Sequence, residues 1–171
     1  MRLSATGIYY VIVKKDKFKD VMDIKKETEL SFFVLKKMLE LFDIEFMNVS
    51  YTENGKPYFK DSDIHFNYSH SKNYIVVAIS TTSLGVDIEE RIVTDSVSDL
   101  YLGSARGRDK LKNWVLKESY VKLEGSGLKI FRDVDVNKIT SNYKLIDGGD
   151  YMCSIMYNGS KRRFVNLQKY I

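Results

Sequence analysis

Asp87 and Glu89 alternate with Val86 and Ile88 in the run Gly85-Val86-Asp87-Ile88-Glu89-Glu90. On a strand this alternation puts both carboxylates on one face and both apolar side chains on the other. Acid-alternating strands are common at solvated sheet edges, so the pair alone carries little. A third acid changes the picture. Glu118 falls in Trp114-Val115-Leu116-Lys117-Glu118-Ser119-Tyr120-Val121-Lys122, where helical spacing lines up Leu111, Trp114, Val115, Glu118, Val121 and Lys122. A Glu–Lys pair four residues apart on a wet helix is worth about 0.2–0.5 kcal/mol. Beside Trp114 the same pair is partly desolvated, which is costly unless a metal or ligand compensates it. Three carboxylates from two elements suit a divalent cation such as Mg²⁺, which takes oxygen ligands and commonly shares them with substrate phosphates.

Asn67-Tyr68-Ser69-His70-Ser71 adds hydroxyls and an imidazole, expected on a polar loop over 68–73. A Ser–His nucleophilic pair is one option, although adjacent residues rarely orient toward each other in that way. A phosphate site fits better, because hydroxyls, loop N–H groups and a protonatable ring all donate to anions. Gly55-Lys56-Pro57 places a lysine on a rigid turn, which by itself is only a hairpin loop.

Several elements must position these groups. Ile8 to Val13 is a β-branched and aromatic run that predicts a buried strand. From about 20 to 41 the spacing becomes helical, with Leu30, Phe33, Val34, Met38 and Leu41 recurring every three or four residues. Asn54-Gly55 between 46–51 and 57–59 predicts a hairpin. Strands follow over 64–67 and 74–80, and then the acidic strand. After an irregular stretch over 93–108, the second helix runs from 109 to about 124 and stops at Gly125, which suits a left-handed cap. Turns at 147–150 and 158–159 divide the tail into three strands, expected as an antiparallel meander. Each half thus reads strand, helix, strands. This predicts an α+β fold of two similar, pseudo-duplicated lobes, 1–83 and 84–171, each an antiparallel sheet packed with a long helix.

With 171 residues, 44% hydrophobic and 29% charged, the chain has the composition of a soluble globular protein. Its apolar runs are too short to cross a bilayer, and the N-terminus has no cleavable signal pattern. One cysteine, Cys153, allows no internal disulfide, which points to a reducing compartment and the cytoplasm; its strand-like surroundings predict a buried core thiol. One Cys and two His provide no zinc cluster. A net charge of +4 favours an acidic partner or phosphorylated ligand and is too small to argue nucleic acid.

Four signatures occur in order: Gly55-Lys56-Pro57, Phe66-Asn67-Tyr68-Ser69-His70-Ser71, Gly85-Val86-Asp87-Ile88-Glu89, and the helix from Trp114 through Gly125-Ser126-Gly127-Leu128. The ordered set closely resembles the 4'-phosphopantetheinyl transferase superfamily, in particular the long pseudo-dimeric type that activates peptide synthetases. The resemblance covers the middle of the chain, from Gly55 to Leu128. It implies transfer of the phosphopantetheine arm of coenzyme A to a serine of an acyl or peptidyl carrier protein, as in secondary metabolite biosynthesis, with the active site between the lobes. It implies Asp87, Glu89 and Glu118 as ligands of Mg²⁺, with Mn²⁺ as an alternative. Ser69 and His70 would contact the nucleotide 3'-phosphate, Lys56 and Pro57 would line the same end, and Lys122 would sit against the pyrophosphate. Glu118 and Lys122 are the implied catalytic residues, Glu118 as base. For the N-terminal basic residues that hold the nucleotide, the expectation is Lys25 or Lys26. Leu100-Tyr101-Leu102 and Gly103-Ser104-Ala105-Arg106 replace a stretch the family often fills with phenylalanine and an acid. The chain is expected to act as a monomer without nucleic-acid or membrane partners. The rival reading is a relative that binds coenzyme A or a carrier without turnover; a nucleic-acid module would leave the acid trio unexplained.

Overall fold

A computed structural model describes residues 1–20, 26–90 and 107–171. Among the described residues the fold is α+β, with mixed sheets and two α-helices. β1 (Gly7–Lys14) pairs antiparallel with β5 (Tyr74–Ser80), which pairs antiparallel with β4 (His65–His70). On its other side β1 pairs parallel with β9 (Arg163–Asn166). β2 (Val49–Tyr51) and β3 (Pro57–Phe59) make the expected hairpin. β6 (Leu84–Glu89), β8 (Met152–Tyr157) and β7 (Asn142–Asp147) form a second antiparallel sheet in that order. The helices are α1 (Glu27–Glu40) and α2 (Gly107–Glu124).

The two-residue period of β1 explains its unbroken apolar run. Tyr9, Val11 and Val13 face the α1 side, against Leu30, Val34, Leu35, Met38 and Leu39. Ile8, Tyr10 and Ile12 face the other way and pack on Leu84, Val86, Ile88, Cys153 and Ile155 of the second sheet. Each such fully buried aliphatic side chain contributes roughly 1.5–3 kcal/mol. The second sheet's far face carries Met152 and Met156, which pack on Leu111, Val115, Leu116 and Leu123 of α2. The resulting layers run α1, first sheet, second sheet, α2.

Two sequence expectations are corrected here. The tail is not a three-strand meander: β7 and β8 pair as expected, but β9 leaves them and joins β1 in parallel, so the first sheet is mixed and not antiparallel as expected. The polar stretch 68–70 is not loop either, since β4 runs on to His70 and pairs it with Ile75. Strands of this sheet have apolar partners on both faces, and that packing outweighs the polar composition of Tyr68-Ser69-His70. The early part of the first expected helix (21–25, including Lys25) and most of the irregular stretch (91–106) lie outside the described residues.

Candidate active site

β4 alternates, so Phe66 and Tyr68 turn toward α1 while Asn67 and Ser69 turn toward the second sheet. There they meet β6. The Val86 N–H donates to Asn67 Oδ1 at 2.9 Å, so a side-chain amide occupies part of the β6 edge and holds it beside β4. One residue along, the Ser69 hydroxyl donates to Asp87 Oδ1 at 2.8 Å. Asp87 is 2% exposed, so the strand that its composition allowed as a solvated edge is covered. The cover is α2. A Cβ on Gly85 would lie 2.1 Å from the Ser119 carbonyl oxygen and 2.3 Å from the Leu123 nitrogen, so only glycine permits this helix–strand approach. Gly85, Asp87 and Glu89 share a strand face, and the close approach therefore brings α2 onto the acids. At its other end Gly125, at φ +66°, ends the helix as expected.

Lys122 reaches from α2 into this junction. Its Nζ donates to Asp87 Oδ1 at 2.7 Å and to Ser69 Oγ at 2.9 Å. The i,i+4 pairing with Glu118 is thus replaced by a pairing across elements. Burial works against the Lys122 ammonium, but Asp87, Glu118 and Glu89 outweigh it and raise its pKa, keeping it charged. Burial, with the Asp87 charge beside it, lifts the Glu89 carboxyl to about 8. The same two causes raise Glu118. Asp87 Oδ2 is buried and has no hydrogen-bond partner.

These features bear on a cation. Among the described residues no three carboxylate, imidazole or thiol groups converge closely enough to hold a metal as they stand. The donor chemistry nevertheless fits one: an orphaned buried carboxylate oxygen lies in a field that already drives two neighbouring carboxyls toward protonation. A divalent cation would satisfy the first and relieve the second.

Other expected site residues divide into two places. Lys56 and Pro57 line a cavity of about 230 Å³ with Asn67, Tyr68, Lys122 and Gly125, so the lysine turn and α2 do share a space. Within it the Lys56 Nζ donates to the Leu123 carbonyl at 2.9 Å and to Ser83 Oγ at 3.3 Å, at the end of α2. Burial, opposed by Glu124, lowers its pKa to about 8. Asn54 Nδ2 also donates to the Gly125 carbonyl at 3.1 Å, so the hairpin tip caps the helix that carries Lys122.

His70 stands apart from Ser69, because successive strand residues face opposite ways. Its Nδ1 lies 2.9 Å from Glu27 Oε2, and Lys15 pairs with the other oxygen of Glu27. Burial lowers the His70 pKa, against the pull of Glu27. Lys26 is exposed at the start of α1.

Sequence reasoning gave no role to Asn67, although it stands inside a quoted motif, nor to Glu90. Glu90 clamps the β4–β5 turn: Ser71 Oγ donates to it at 2.8 Å, and the Asn73 backbone and side-chain amides donate at 2.6 Å each. No spacing rule connects residues 17 apart across a turn and a strand; only the acid's position directly after the motif hinted at it.

No family model matches the chain. Curated relatives do. The chain is 30% identical over 129 residues to the 4'-phosphopantetheinyl transferase gsp of Aneurinibacillus migulanus, covering 67% of this chain and 54% of the relative. It is 30% identical over 106 residues to the 4'-phosphopantetheinyl transferase Sfp of Bacillus subtilis (strain 168), covering 54% and 46%. Over 89 residues it is 30% identical to the 4'-phosphopantetheinyl transferase psf-1 of Bacillus pumilus, covering 44% and 38%. The chain spans about half the length of the curated relatives it matches. It is a homologue of the 4'-phosphopantetheinyl transferases.

Proposed function

We propose that the protein transfers the 4'-phosphopantetheine arm of coenzyme A to a serine hydroxyl of an acyl or peptidyl carrier protein. The observation that carries this reading is the Ser69–Asp87–Lys122 cluster with its unpartnered Asp87 Oδ2, built from three of the four signatures that the resemblance rests on. In this reading residues 1–83 supply the nucleotide end of the site and 84–171 the metal-binding and catalytic end, as two similar lobes with the site between them. β9 would then be a C-terminal strand lent to the first lobe's sheet.

Asp87, Glu89 and Glu118 would hold Mg²⁺, with Mn²⁺ as the alternative. That ion would supply charge neutralisation on the pyrophosphate oxygens. The carrier serine oxygen attacks the phosphorus next to the pantetheine arm. The bond from that phosphorus to the bridging oxygen breaks, and adenosine 3',5'-bisphosphate leaves with the electron pair. Lys122, kept protonated by its three acidic neighbours, offsets negative charge on the transferring and leaving oxygens. Glu118 accepts the serine proton; burial and Asp87 have already moved its pKa in the direction a base working near neutrality needs. Ser69 holds Asp87 and Lys122 in register and Lys56 fixes the end of α2. Lys56 and Pro57 line the cavity into which the nucleotide end would extend, with His70 on the opposite face of β4.

The test uses the whole chain with coenzyme A, Mg²⁺ and a panel of apo carrier proteins, and follows adenosine 3',5'-bisphosphate by chromatography. Release that depends on the carrier and on its acceptor serine supports transfer. Binding of coenzyme A with no release on any carrier would instead support a non-catalytic binding relative.

A further inference from the structure

A second basic feature lies outside the cluster. Where β1 ends, the chain turns through a short 3-10 segment, Lys15–Phe18, and this turn faces the β4–β5 turn across a basin of about 440 Å³. Lys14, Lys15, Lys19 and Lys72 line it, against two carboxylates, Asp16 and Asp150. Lys15 is already paired with Glu27, so three ammonium groups, those of Lys14, Lys19 and Lys72, stand against the two carboxylates and leave the lining net positive. One of the two acids is also engaged, since the Tyr74 hydroxyl donates to Asp150 Oδ2 at 2.7 Å. Lys14 lies 5.6 Å from the centre of the Tyr74 ring, so the ring steers one ammonium along the basin wall. Among the described residues Lys19 and Lys72 make no ion pair.

The basin is built rather than a chance meeting of surface lysines. The Lys15 N–H donates to the Asn73 carbonyl at 2.8 Å, which ties the two turns together, and the Ser71 N–H donates to the Tyr74 carbonyl at 2.9 Å, which closes the β4–β5 turn itself. Glu90 grips Asn73 from behind by two bonds of 2.6 Å. Holding like charges on a fixed frame is unfavourable on its own and is relieved by a multiply charged anion. A polar, lysine-lined space of this volume suits a phosphate group with more than one negative charge.

The geometry points to a second phosphate-binding site in this basin, separate from Ser69, Asp87 and Lys122, with Lys19 and Lys72 as its principal ligands. The ligand is a di- or polyanionic phosphate, either free pyrophosphate or the phosphate ester of a nucleotide. The site does not depend on the transferase reading.

The test is calorimetric titration of the full chain, without divalent metal and at low salt, with sodium pyrophosphate and separately with adenosine 3',5'-bisphosphate. It is run in a Lys122→Gln background, which weakens the other site toward pyrophosphate, and the Lys19 and Lys72 variants separate the basin from any binding that remains there. Saturable binding is expected in that background, and adding Lys19→Gln and Lys72→Gln should weaken it tenfold or more while leaving the melting temperature unchanged. Raising the salt should weaken it as well. Tighter binding of the bisphosphate assigns the basin to nucleotide phosphate esters, and tighter binding of pyrophosphate assigns it to the free anion. Absence of saturable binding of either anion, or equal affinity with and without Lys19 and Lys72, overturns the proposal.

Discussion

Replacing Lys122 by methionine keeps the length of its stem and removes the ammonium. At the 2.7 Å separation of Nζ from Asp87 Oδ1, the attraction is about 6 kcal/mol for an effective dielectric constant of about 20. Desolvation of the two charges offsets part of it. The offset is incomplete because the Lys122 side chain keeps 28% of its exposure while Asp87 keeps 3%. In the variant Asp87 would stay buried with the Ser69 hydroxyl as its one donor, since Oδ2 already has none. We therefore expect Lys122→Met to lose about 3 kcal/mol of stability at pH 8 in metal-free buffer. Adding Asp87→Asn should return about 2 kcal/mol, because the orphaned charge is removed with its partner gone. Urea unfolding followed by circular dichroism, on the wild type, both single variants and the double variant, measures all four corners of the cycle. A loss under about 0.5 kcal/mol, or strict additivity of the two substitutions, would refute the reasoning that Lys122 and Asp87 are held as a buried couple.

Other expectations follow from neighbouring geometry. Gly85→Ala should cost about 3 kcal/mol, since its methyl group would strike the backbone of α2, and a change under 1 kcal/mol in urea unfolding would mean that the helix can back away. Lys56 should titrate near 8 because burial penalises its ammonium, so it is charged below that pH and neutral above it, while exposed lysines titrate more than two pH units higher. Carbon-13 reductive methylation followed by NMR against pH reads this directly, and a midpoint near 10 would contradict it. If His70 contacts the nucleotide as the resemblance implies, His70→Ala should raise the KM for coenzyme A roughly tenfold; its place on the opposite face of β4 from Asp87 predicts little change in kcat, and a fall in kcat at constant KM would place it in the reaction instead.

How far these features were legible in the sequence varies with their range along the chain. The strand β1, the Asn54-Gly55 hairpin and the end of α2 at Gly125 are local events, set by β-branched runs and turn chemistry, and all three stand as expected. The alternation of Asp87 and Glu89 correctly put the acids on one face, and Glu118 and Lys122 correctly on the helix. The partner of Lys122 was not legible: helical spacing offers Glu118, but the approach that Gly85 allows between α2 and β6 offers a better desolvated acid. β9 was misplaced because its nearest neighbours in sequence are β7 and β8, and nothing local shows that an edge of β1 is vacant for it. Ser69 and His70 read as a unit because they are adjacent, whereas the extension of β4 turns them to opposite faces.

The central claim is that the Asp87 junction is where a phosphopantetheine arm changes owner. Intact-mass spectrometry of an apo carrier protein, incubated with coenzyme A, Mg²⁺ and either wild-type chain or Asp87→Asn, tests it most directly. The expected result is a carrier heavier by one phosphopantetheine group with the wild type and an unchanged carrier with a folded Asp87→Asn protein. Equal conversion by both would contradict the assignment of the site, and no conversion by the wild type with any carrier would contradict the activity itself.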